Sequence, residues 1–118
     1  MEEIFESVSR SAGDLAGVFE SDGETGYFYL YDTKAGENTR IVNAIRMFVG
    51  APDFSEAEIL IRWDIEEQNV GLFIRGNLWA AFDCDSGKKF GGNYRPRATP
   101  DISADLAKAL RLEVVPQV

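Results

Sequence analysis

The sequence predicts a mainly β, α+β domain: a single antiparallel sheet of six or seven strands, built from two similar hairpins, with one C-terminal helix packed on it. Three observations carry this. Apolar and polar residues alternate with period two along most of the chain, as half-buried strands do. Turn-forming clusters of Gly, Asp, Asn and Ser separate those runs at short intervals. One segment near the C-terminus has clear helical spacing. With 118 residues, 45% of them apolar and 12% aromatic, the chain fits a single domain spanning 1–118 and is too apolar to stay disordered.

Ile4 to Val8 is a weak strand signal. Leu15 to Glu20 and Gly26 to Asp32 form a hairpin around Ser21-Asp22-Gly23-Glu24-Thr25. In its second strand Tyr27, Tyr29 and Tyr31 share one face, while Phe28 and Leu30 share the other. Ala44 to Val49 reads as a strand, with room for a helical turn in Asn38 to Asn43, and Ala51-Pro52-Asp53 ends it. Glu58 to Trp63 alternates again. Val70 to Arg75 and Leu78 to Asp83 are rich in β-branched and aromatic residues, and Gly76-Asn77 between them is a two-residue hairpin signal. The helix is expected over 99–113: Thr99 can cap it, Pro100 suits its first position, and Ile102, Leu106 and Leu110 recur every four residues. Asp101 and Asp105 early, with Lys108 and Arg111 late, suit the helix dipole.

The two hairpins echo each other. Gly17-Val18-Phe19 recurs as Gly71-Leu72-Phe73, and Tyr31-Asp32 with Gly36-Glu37 recurs as Phe82-Asp83 with Gly87-Lys88. Each second strand thus ends in an aromatic-Asp corner, whose carboxylate can accept hydrogen bonds from the amides of the following turn. Two copies cannot close a propeller, which needs at least four blades.

Composition removes several function classes. The chain has no histidine, which excludes Ser-His and Cys-His nucleophile pairs, His-ligated zinc and histidine pH switches. A single cysteine permits neither an intrachain disulfide nor a four-cysteine metal site. The net charge of −8 repels nucleic acid and anionic membranes. That charge is uneven: residues 1–32 carry eight acids and one base, and residues 88–118 three acids and six bases. The polarity suits either two partners of opposite sign or pairing between the chain's own ends. The acidic start lacks the apolar stretch of a signal peptide, no apolar run approaches the ~20 residues of a membrane span, and the unpaired cysteine suits a reducing cytoplasm.

The stretch from Val18 to Tyr29, centred on Phe19-Glu20-Ser21-Asp22-Gly23-Glu24-Thr25-Gly26-Tyr27-Phe28-Tyr29, resembles a small bacterial family of proteins of unknown function. Ile41-Val42-Asn43-Ala44-Ile45, Trp63 and Ala81-Phe82-Asp83 follow at similar spacing. The likeness covers residues 15–85. It implies a bacterial, stand-alone domain and transfers no catalytic or binding residue.

Candidate chemistry then comes from the residues themselves. Glu20, Asp22 and Glu24 crowd three carboxylates into a turn, where they can gather a hard cation or simply keep a hairpin loop solvated. Asp83-Cys84-Asp85-Ser86-Gly87 lacks the spacing of a calcium loop. Cys84 sits between carboxylates that disfavour its thiolate. Asp64, Glu66, Glu67, Asp32 and Asp83 contain no pair whose spacing demands proximity for acid–base hydrolysis. The strongest candidate is the segment 88–97, with four cations, two aromatics, two glycines and no acid. There Lys88, Lys89, Tyr94, Arg95 and Arg97 are expected to bind an anion or an acidic partner, and Gly91-Gly92 to admit backbone amides close to a ligand. Alternatively these cations neutralise the acidic N-terminal third.

A second candidate surface is the face of Tyr27, Tyr29 and Tyr31. One helix cannot cover both sides of a sheet, so these rings are expected to meet a partner, a homodimer being one form of it. The sequence indicates no catalytic residue, no metal and no cofactor. It reads as a cytoplasmic, non-catalytic protein-interaction or binding module of the immunity or accessory type. The alternative is a small anionic-ligand binder or minor enzyme built on 88–97.

Overall fold

A computed structural model describes residues 3–36 and 40–111. The described residues form eight strands, seven of them expected: β1 (Ile4–Ser9), β2 (Leu15–Ser21), β3 (Thr25–Asp32), β4 (Ile41–Val49), β5 (Ile59–Trp63), β6 (Asn69–Ile74), β7 (Asn77–Asp83) and the unexpected β8 (Lys89–Gly91). One helix, α1 (Ala104–Arg111), follows them. The expected single sheet is in fact two. Strands β1-β2-β3-β4 make one antiparallel meander and β5-β6-β7-β8 another. No ladder joins β4 to β5. Between them Gly50 turns at φ +96° and a 3₁₀ turn, Glu56–Glu58, carries the chain across to the second sheet.

The two sheets share one core. Phe19, Phe28, Leu30, Ile45 and Met47 from the first meet Ile61, Val70, Leu72, Trp79 and Phe82 from the second, and Phe54 fills the gap from the connection. The physical reason for two sheets lies in β6 and β7. Their inner residues from Val70 to Ile74 and from Leu78 to Phe82 are all buried, as in strands covered on both faces. One face meets the other sheet. The opposite face, carrying Phe73, Leu78 and Ala81, meets Leu110, Leu106 and Ile102. Strand β3 instead alternates, burying Phe28 and Leu30 while leaving Tyr27, Tyr29 and Tyr31 part-exposed; in β2 the run Ala16 to Phe19 is buried throughout.

Helix α1 lies close on the second sheet because β6 has a glycine beneath it. A Cβ at Gly71 would come within 2.7 Å of Leu110 Cδ1. The helix starts at Ala104, later than Thr99: the Leu106 amide donates to Ser103 Oγ at 3.2 Å, so Ser103 is the cap. Positions 112–113 of the expected helix lie outside the described residues.

Details of the turns follow the sequence with small shifts. The β6–β7 hairpin turns at Arg75-Gly76, with φ +51° and +84°, one residue before the expected Gly76-Asn77. Arg75 is held in that left-handed conformation by Glu58 Oε2 at 2.7 Å and Asp53 Oδ2 at 3.1 Å. Strand β4 begins at Ile41, so no helical turn occupies 41–43; positions 37–39 lie outside the described residues.

The hairpin echo maps onto strand position. Its two halves form β2-β3 and β6-β7, the central pair of each sheet. Asp32 Oδ1 accepts the Lys34 amide, and Asp83 Oδ1 the Asp85 amide, each at 3.0 Å. The facing of the first strands is inverted, however. Gly17 and Phe19 look into the shared core, and Gly71 and Phe73 look at the helix.

Candidate functional site

The register of the first sheet writes its outer surface as three rows. The first runs Phe5, Glu20, Tyr27, Arg46; the second Ser7, Val18, Tyr29, Ala44; the third Ser9, Ala16, Tyr31, Ile41. The floor over β2 is small, since Ala16 and Val18 are short side chains between taller neighbours. Rings on β3 and the exposed Phe5 on β1 rise on either side. The result is an open hollow of about 500 Å³. Tyr27 and Tyr29 stack, with centroids 5.7 Å apart and planes 9° from parallel. The Tyr31 hydroxyl accepts from Arg40 Nη1 at 3.3 Å. Partial burial, with the nearby Glu20 carboxylate, raises the Tyr29 phenol above its ordinary value. No element of the described chain covers this face; α1 packs on the other sheet instead.

The basic segment is split by the fold. Lys88, Lys89, Arg95 and Arg97 are exposed. Tyr94 is not with them: it is 9% exposed, packs edge-on against Trp79 at 4.9 Å, and donates its hydroxyl to Asp53 Oδ1 at 2.8 Å. Burial and that bond push its phenol up to about 12. The glycine pair does not offer free amides either. Gly91, Gly92 and Asn93 all adopt positive φ. The amides that follow are used internally, from Gly92 to the Trp79 carbonyl at 2.8 Å and from Tyr94 to the Met47 carbonyl at 2.7 Å. The segment therefore laces β7 of the second sheet to β4 of the first.

That lacing brings the two predicted surfaces together. Lys89 and Asn93 line a depression of about 610 Å³ with Tyr27 and Arg46, so the cations of 88–97 continue the tyrosine face across β4. Lys89 Nζ donates to the Ala44 carbonyl at 3.4 Å. Arg97 stands in a turn at φ +63°.

Sequence spacing did not show a second basic hollow, of about 390 Å³, where Arg62, Arg75 and Arg111 meet beside Leu60 and Phe73. The three arginines come from β5, a turn and α1, so only the tertiary fold joins them. Arg111 lies over the Phe73 ring at 5.8 Å and donates to the Gly76 carbonyl at 3.0 Å. Also unforeseen is a carboxyl pair: the hydrogen bond that protonated Glu6 donates to Glu56 holds Glu6 above the ordinary carboxyl value.

The remaining candidates serve the fold. Asp22 Oδ1 accepts the Glu24 and Thr25 amides at 2.8 and 2.9 Å. Asp64 likewise accepts those of Gln68 and Asn69. Cys84 is half-buried, and desolvation with the surrounding carboxylates pushes its thiol up to about 11. Among the described residues no three His, Cys, Asp or Glu side chains are grouped to hold a metal ion, and no helix is long and apolar enough to cross a membrane.

By fold, then, the chain is a two-sheet antiparallel β domain, one sheet backed by a helix and the other presenting a tyrosine-lined face. It belongs to the family described as an uncharacterized protein conserved in bacteria (DUF2251), whose model matches residues 1–115. Comparison with curated proteins and with solved structures gives no match.

Proposed function

We propose that this chain is a non-catalytic, cytoplasmic protein-interaction module, of the small immunity or accessory type, working through the outer face of its first sheet. One observation carries the reading. The helix α1 packs on the middle of the second sheet's outer face, over Phe73, Leu78 and Ala81, while no element of the described chain packs on the equivalent face of the first, which keeps Tyr27, Tyr29 and Tyr31 part-exposed beside a hollow. Tyrosines supply contact area at low entropy cost and are enriched where proteins meet. The chemistry within reach is poor in nucleophiles, since the one thiol is held protonated at neutral pH.

The alternative reading, a small-anion site on 88–97, draws on Lys88, Lys89, Arg95 and Arg97, with Arg46 added by the fold. Photo-crosslinking in living cells separates the two. A photoreactive residue at position 29 is expected to capture a protein, and one at position 95 to capture none. Protein adducts at 95 with none at 29 would overturn the reading in favour of the basic segment.

A further inference from the structure

From the outer face of the first sheet we infer that its partner is a second copy of this chain, docked face to face about a two-fold axis lying along β3. This rests on the reading of the tyrosine face as the working surface. Strands β2 and β4 flank β3 on either side, each ~4.8 Å away. A two-fold axis in the interface and along β3 therefore lays β2 of one copy over β4 of the other. Each of the three rows then meets itself in reverse.

Charge and shape both fit that operation. In the first row Glu20 and Arg46 stand on opposite sides of Tyr27, so each carboxylate faces the other copy's guanidinium, twice over. In the third row the small Ala16 meets Ile41, which is 54% exposed on the free flank of the face. The hollow over β2 receives the ridge on β4. In the second row Val18 meets Ala44, and two small side chains leave room for the tyrosines of both copies to interleave along the axis. A two-fold axis across the strands would lay β2 over β2 and leave the hollow facing a hollow: through the first row it sets Glu20 against Glu20 and Arg46 against Arg46, and through the second it sets Glu20 against Ala16 and Arg46 against Ile41, so neither charge finds its opposite. The charges are thus matched for the axis along β3 and unmatched for an axis across the strands, and an isologous interface needs the former. About this axis three strands overlap, because β1 of each copy falls beyond β4 of the other; eight residues of β3 at ~3.4 Å each and three strands give a contact of about 27 by 14 Å in projection, the size of a weak, reversible pair.

Light scattering after size exclusion tests this on the full chain. Wild type is expected at twice the chain mass. Glu20→Arg and Arg46→Glu, both exposed and away from the core, each set like charges together and should raise the dimer dissociation constant by on the order of tenfold or more. The double variant Glu20→Arg/Arg46→Glu restores opposite charges across the axis and should return the dimer. Ile41→Ser, which leaves the charges intact, should weaken it as well. Unchanged circular-dichroism spectra, and melting temperatures equal to wild type at a concentration low enough to keep every chain monomeric, show that the variants fold. A monomeric wild type, single variants that stay dimeric, or a charge swap that fails to restore association each overturns the inference. Position-29 adducts with a different protein, on a monomeric chain, would sink the second copy while leaving the interaction reading intact. Adducts at neither position would remove both.

Discussion

At the scale of single residues, Arg10 and Asp14 show how local charge fixes a turn. Arg10 Nε and Nη2 donate to the two Asp14 oxygens at 2.7 Å each, and the guanidinium holds that carboxyl well below the usual carboxylate range. Asp22 is lowered by the amides of Thr25 and Glu24, and Glu58 by Arg75. Groups lowered by folding stabilise it above their unfolded values, about 4 for carboxylates, and that contribution is lost as the pH falls through their folded values. Glu6 is raised and has the opposite sign: its contribution is complete in acid and fades as the pH rises through its folded value. The melting temperature is expected to fall between about pH 5 and pH 2. Asp14→Asn should flatten that acid limb, as followed by calorimetry across the range. The carboxylate turns were legible in the sequence, because Asp two residues before a turn amide is a local pattern. The burial of Tyr94 was not, since Asp53 and Trp79, its partners, are 41 and 15 positions away.

At the scale of elements, α1 and β6 depend on each other through Gly71. Gly71→Ala would push a methyl to within 2.7 Å of Leu110 and Leu78. Overpacking of this kind costs about 1–3 kcal/mol, and the helix should be the part that yields. A drop in melting temperature with faster amide exchange in 104–111 is the expected outcome; no change in exchange there would contradict the close contact. Seven of the eight strands were legible, some by period-two alternation and β6 and β7 by their β-branched and aromatic content. β8 was not, because three residues ending in glycine carry no periodicity. The partition into two sheets was hidden for a different reason. Alternation tells which residues share a face of a strand, but it does not name the neighbouring strand. The one hint was the unbroken apolar run Leu78 to Phe82, which belongs to a strand covered on both sides. The echo between hairpins located equivalent strands correctly, but not their inward faces.

At the scale of the whole molecule, the two sheets share the main core, and among the described residues the second has besides it only the small cluster under α1. Phe28 and Phe82, centroids 5.3 Å apart, join the two, and Phe54 and Tyr94 pack edge-on from the connecting segments at 5.4 Å. One cooperative unfolding transition is therefore expected. Its enthalpy should be about 80 kcal/mol near 60 °C for a chain of this length, read by calorimetry at a concentration low enough to keep one chain per particle. Two resolved transitions would mean that the sheets unfold apart. The tyrosine face was legible as a face. Its meeting with Lys89 and Arg46 was not, because the lacing of 91–94 onto β4 is a tertiary event. The same lacing has another result. Tyr94 and Asn93 donate to carbonyls of β4, and at the opposite seam Trp63 Nε1 donates to the Val8 carbonyl of β1 at 2.8 Å. Both outer strands of the first sheet thus have main-chain acceptors occupied by the chain itself. An open β-sheet edge invites further strands to add and propagate into fibres. These contacts blunt both edges against strand addition, whereas the proposed face-to-face pair would close on itself and stop.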